Sequence, residues 1–179
     1  MTLQWIAIIL GVLATAGGLV GVLRPDLVKR QIEIFPRSVA PAWIFTALCC
    51  VLGAQQALKM NMGFLDAYKN YIYVISPAVF FASVVYMKEL LAPRALGGFL
   101  LLIAVPILQA ARWHESPWRL VVVVLVYLWI VYGLVLLMSP WYFRKITAPF
   151  MENEPLFKAT AFAKTAFGIA LLLLGLFVY

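Results

Sequence analysis

The residues in this chain best suited to chemistry are few and lie close together. The segment "ARWHESPW" (Ala111 to Trp118) sets the single histidine, His114, beside Glu115, with Arg112 and Arg119 on its flanks. A His–Glu neighbour pair is a minimal proton-transfer unit, and two arginines beside it offer an anion clamp. The competing reading is a short solvated turn between two apolar runs, with Trp113 and Trp118 anchored at a membrane interface, and we favour it. A lone histidine excludes a haem held by two histidines and a His-rich metal cluster. No GxSxG, P-loop, GxGxxG or HExxH pattern occurs, so hydrolase, nucleotide and zinc-protease chemistry has no support. Cys49 and Cys50 are adjacent, which on a helix points them about 100° apart, and they read as small apolar fillers. We therefore expect no catalytic residue, no metal and no cofactor.

A second polar set is spread along the chain. Gln55, Gln56, Ser76 and Gln109 are expected at similar depth beside Pro77 and Pro106, where helix hydrogen bonding is interrupted. They predict either a mending of the two kinks or an outward-opening pocket for a small ligand or lipid headgroup.

The elements that must position these residues follow from composition. The chain has 179 residues, 65% of them hydrophobic and 12% charged. A soluble domain carries roughly 45–50% apolar and about 25% charged residues, so lipid is the expected solvent. Six apolar runs approach the roughly 20 residues a spanning helix needs: 4–23, 40–58, 70–90, 94–112, 118–138 and 157–179. The first has no basic residue before it and no small-residue cleavage site after it, and reads as a span rather than a cleaved signal. The expected fold is an all-α integral membrane protein, one polytopic domain over 1–179 with six transmembrane helices in one bundle.

The net charge is +7, but Lys and Arg gather at the ends of apolar runs, which argues against nucleic acid and for lipid headgroups. With six spans, one side holds Arg24, Lys29, Arg30, Arg37, Lys88, Arg94, Arg144, Lys145 and Lys158, with Lys164 snorkelling to it. The other side holds Lys59, Lys69, Arg112 and Arg119, a split of ten against four. The positive-inside rule then puts the ten in the cytoplasm of a bacterial-type plasma membrane and both termini outside.

A shift of 115 residues superposes two stretches. Gly18 falls on Gly133, Pro25 on Pro140, the pair Lys29-Arg30 on Arg144-Lys145, Phe35 on Phe150 and Gly53 on Gly168. In each, a proline starts an amphipathic segment whose apolar side faces acyl chains and whose cations (Lys29, Arg30, Arg144, Lys145) meet headgroups or a partner. This suggests a parallel repeat of hairpins 1–2 and 5–6 around a central hairpin 3–4; the general basicity of inner loops is the competing cause.

Small residues mark packing faces. Span 1 carries Ala7, Gly11, Ala14, Gly18 and Gly21; span 6 carries Ala159, Ala163, Ala166 and Ala170. Such stripes let helix backbones approach in lipid, within this bundle or against a second chain. The leading functional expectation is a non-enzymatic accessory or scaffold subunit of a larger membrane complex, with lipids and other subunits or a second copy as partners. The alternative is a small-solute or lipid-headgroup binding or transport protein with an outer-leaflet pocket. A membrane enzyme built on Arg112, His114 and Glu115 ranks last.

Overall fold

A computed structural model describes residues 3–60, 63–86 and 91–179. The described residues are helical throughout apart from short turns. The α-helices are α1 (Leu3–Leu23), α2 (Pro25–Ile34), α3 (Val39–Lys59), α4 (Ile72–Tyr86), α5 (Leu91–Arg112), α6 (Arg119–Met138), α7 (Tyr142–Glu152) and α8 (Glu154–Phe177). Five of them, α1, α3, α5, α6 and α8, are long and apolar enough to cross a membrane. The segment expected over 70–90 is α4, which has fifteen described residues and follows a 3-10 stretch, Gly63–Tyr71. Lys88 and the end of that segment lie outside the described residues.

Apolar surface faces outward: Val74 is 70% exposed, Phe81 65% and Leu13 64%. Helices whose backbone bonds close internally can place such surface in lipid without unpaired polar groups. The two segments expected to lie at the membrane surface are helical, as α2 and α7. Pro25 opens α2, where its missing N–H is no loss. Pro140 precedes α7, and the Tyr142 N–H at the start of that helix donates to the Ser139 carbonyl over 3.0 Å.

The described residues fall into two compact units. The first comprises Met1–Ile34, Ala104–Trp129 and Phe143–Tyr179. Its core is an antiparallel seam of α1 on α8. A Cβ on Gly11 would stand 2.8 Å from the Leu172 backbone nitrogen, one on Gly168 2.5 Å from that of Thr15, and one on Gly175 2.8 Å from Ile8. Backbones this close leave room for hydrogen alone, and this approach gives the contact its dispersion energy in lipid. Gly11, Gly18 and Gly21 are buried as expected of span 1, and Ala14 is half-buried beside Gly168.

On α8 the packed face differs from the expectation. Phe157, Ala161, Thr165, Gly168, Leu171 and Gly175 are buried, while Ala163, Ala166 and Ala170 are exposed. The cause is that α8 carries two small-residue stripes, and the one with glycines and the self-bonded Thr165 admits the closer approach; the Thr165 hydroxyl donates to Ala161 O at 2.9 Å. The helix also begins earlier than expected, at Glu154 with Pro155 in its first turn. Lys164 therefore sits ten residues in, with its Nζ 3.1 Å from where a Gly17 Cβ would be.

The second unit comprises Phe35–Ile103 and Ile130–Tyr142. Here α4 runs antiparallel to α3, and the Ser76 hydroxyl donates to the Cys50 carbonyl at 3.0 Å. The first half of α5 runs parallel to α3: Cys49 Sγ donates to Ala95 O at 3.3 Å, and a Gly53 Cβ would face Leu102. Phe45 joins these helices through Phe35 and Phe99, with ring centroids at 6.2 and 5.5 Å. Within this unit α5 meets α6 in a glycine crossing, a Gly97 Cβ falling 2.6 Å from Gly133 O.

Candidate functional site

A groove of ≈ 580 Å³ in the second unit is walled by α3, α4, α5 and Leu137 of α6. Its walls are built from small residues. Cys49, Cys50, Gly53, Ala54 and Ala57 come from α3, and Ala95 and Gly98 from α5, while α4 adds Ile72, Ile75, Ser76, Val79 and Ser83. A Cβ on Gly53 would meet only Leu102 Cδ1, at 4.0 Å, so the space beside it is unfilled. The volume lies inside the roughly 300–1,000 Å³ typical of small-molecule sites.

Several polar side chains along the wall are already committed to backbone. Thr46 donates to Ala42 O at 2.7 Å, Ser76 to Cys50 O and Cys49 to Ala95 O. Their outward character is therefore apolar. Arg94 is different. It lies in the first turn of α5, lines the groove, and its Nε is buried with no hydrogen-bond partner among the described residues. No Asp or Glu stands among the described lining residues. A neighbouring cavity of ≈ 390 Å³ shares Leu91 with the groove and is lined by Arg37, Ser38 and Trp43 among others.

The sequence-derived pocket set divides on this geometry. Ser76 lines the groove; Gln55 and Gln56 do not, and Gln55 is exposed. Gln109 is exposed and belongs to the first unit. Arg94 and Gly53, which the sequence-derived set does not contain, line the groove. The signal for Arg94 was present: a cation placed directly after a proline, "LAPRALGG", falls inside the helix when that proline occupies its first turn.

The histidine segment is tied into a turn. The Ser116 N–H donates to His114 Nδ1 at 3.2 Å, and Arg119 Nη1 donates to the carbonyls of Arg112 and His114 at 3.0 and 2.6 Å. The His114 ring packs edge-on against Tyr179, whose hydroxyl donates to Trp118 O at 2.6 Å. Arg112 lies over the Trp113 ring at 5.6 Å, and Glu115 is exposed. These bonds describe a loop closure, with Arg119 turned toward carbonyls rather than toward an anion.

The four cations expected to meet headgroups or a partner fall on α2 (Lys29 and Arg30) and α7 (Arg144 and Lys145). Lys29 stands over the Phe157 ring at 5.4 Å. Among the described residues no group of three or more His, Cys, Asp or Glu is placed to hold a metal. No protein-family model, characterised protein or solved structure matches the chain.

Proposed function

We propose that this is an integral membrane protein that binds a membrane-resident amphiphile in the groove of its second unit. The observation that carries this reading is an unfilled, apolar-walled groove ending at Arg94, whose buried Nε has no acceptor among the described residues. It replaces the expected glutamine-lined pocket at the outer ends of spans 3 and 4. The polar end lies instead at the start of α5, on the side that the ten-against-four charge split assigns to the cytoplasm. Protein extracted in mild detergent should retain bound lipid in native mass spectrometry, and Gly53→Phe, which fills the groove, should strip it. Equal retention by both proteins would refute the reading.

Six crossings fit the helix directions better than five. Each crossing reverses the chain, so α1 and α8 could be antiparallel only if an even number of spans runs from one to the other inclusive. Likewise α3 and α5 run parallel, which calls for one crossing between them. The described helix available for it is α4, fifteen residues and roughly 22 Å long, extended at its start by the 3-10 stretch. Both termini then share a side, the extracytoplasmic one by the charge split.

The element boundaries also support a duplication. A shift of 115 carries Leu3–Leu23 to 118–138, where α6 runs Arg119–Met138, and Val39–Lys59 to 154–174, where α8 starts at Glu154. The repeated unit is a span, a surface helix and a span.

A subunit role in a larger inner-membrane complex is the second reading. One observation favours it: Ala163, Ala166 and Ala170 face outward on α8 and are not used by α1. Co-purification of a stoichiometric partner that is lost in Ala166→Leu would support it.

A further inference from the structure

We infer that the occupant of the groove is an anionic phospholipid, its phosphate held by Arg94 and one acyl chain lying along α3 toward Ala57. This rests on the groove being a binding site, as proposed above, and adds what it binds.

Three observations converge on this chemistry. The first is length. From Thr46 to Ala57 the groove follows eleven residue steps of α3, roughly 16 Å. That is about half of a hydrocarbon core of ~30 Å, the depth one leaflet gives an acyl chain. The second is polarity. The Thr46, Cys49 and Ser76 donors along the wall bind backbone carbonyls, and apart from Arg94, Cys50 and Ser83 the rest of the lining is apolar, which suits a hydrocarbon tail. The third is charge. At the end of the groove formed by α5, the Arg94 Nε–H is buried without an acceptor among the described residues. A buried donor left unpaired is costly, and a phosphate oxygen satisfies guanidinium donors with charge-assisted geometry.

Position selects phosphate over a soluble anion, because the first turn of a spanning helix stands near headgroup level. The adjoining cavity at Leu91, with Arg37 and Ser38, gives the headgroup somewhere to lie. Net anionic lipid is favoured because the charged side chain on the groove wall, Arg94, is a cation and complements a negative headgroup.

The test is competitive lipid loading of the full chain in detergent, read by native mass spectrometry, with phosphatidylglycerol and phosphatidylcholine of identical acyl chains. Wild type should retain phosphatidylglycerol preferentially. Arg94→Gln should lower that preference about tenfold while leaving total lipid retention nearly intact, and Arg94→Lys should restore part of it. Gly53→Phe should abolish retention of both lipids. If Gly53→Phe removes lipid but wild type and Arg94→Gln share one headgroup preference, the anion anchor is wrong and the groove reading stands. If Gly53→Phe changes nothing, the groove reading itself fails. Oleate held as tightly as phosphatidylglycerol, or inorganic phosphate displacing it, would also overturn the assignment to a phospholipid.

Discussion

The α1–α8 seam and the α3–α4–α5 groove are made from the same kinds of residue and have opposite outcomes. In the seam, Gly11, Gly18, Gly168 and Gly175 stand opposite backbone, and any side chain there would collide. In the groove, Gly53, Ala54, Ala57 and Ala95 stand opposite space. Small residues facing one another on two helices let the backbones close. The same residues facing the branched side chains of α4 (Ile72, Ile75, Val79) hold a volume open. In lipid, where apolar burial contributes little to helix association, this difference in shape decides whether two helices join or leave a site between them.

The largest expected effect breaks the seam. Gly168→Leu should cost about 3 kcal/mol, because its Cβ meets the Thr15 backbone rather than a movable side chain. The same substitution at Gly53 should change stability by less than about 1 kcal/mol. Reversible unfolding of the reconstituted protein compares the two directly, and equal costs would erase the distinction between closed and open faces. Next comes Ser76→Ala, which removes the bond from α4 to the Cys50 carbonyl and should cost about 0.6 kcal/mol by the same measurement. The smallest effect sharpens the seam. Thr15 Oγ1 is buried with no partner, so the isosteric Thr15→Val should be neutral or stabilise by a few tenths of a kcal/mol. A loss above about 1 kcal/mol would mean that the hydroxyl has a role the seam geometry does not contain.

How far the sequence revealed these regions depends on the kind of signal each residue carries. Spacing of Gly11, Ala14, Gly18 and Gly21 identified the packed face of α1, since small residues repeated at helical period mark where a second backbone can approach in lipid. The packed face of α8 was not legible, because Ala163, Ala166 and Ala170 compete with Ala161, Thr165, Gly168 and Gly175, and only the partner helix chooses between them. That α2 and α7 are helices separate from the spans was legible from Pro25 and Pro140 and the alternation of cations with apolar residues after them. The groove was not. Polarity drew attention to Gln55, Gln56 and Gln109, whereas the volume comes from missing side chains at Gly53, Ala54 and Ala57, and absent atoms carry no periodic signature. Arg94 looked like a loop cation because α5 starts three residues earlier than its apolar run.

Whether an acyl chain enters the second unit is tested most directly by photocrosslinking with phosphatidylglycerol carrying a mid-chain diazirine. We predict adducts concentrated on the groove faces of α3 and α4, at positions such as Ala54, Ala57 and Val79, and their loss in Gly53→Phe. Adducts spread evenly over the outward faces of all the spanning helices, unchanged by that substitution, would contradict it.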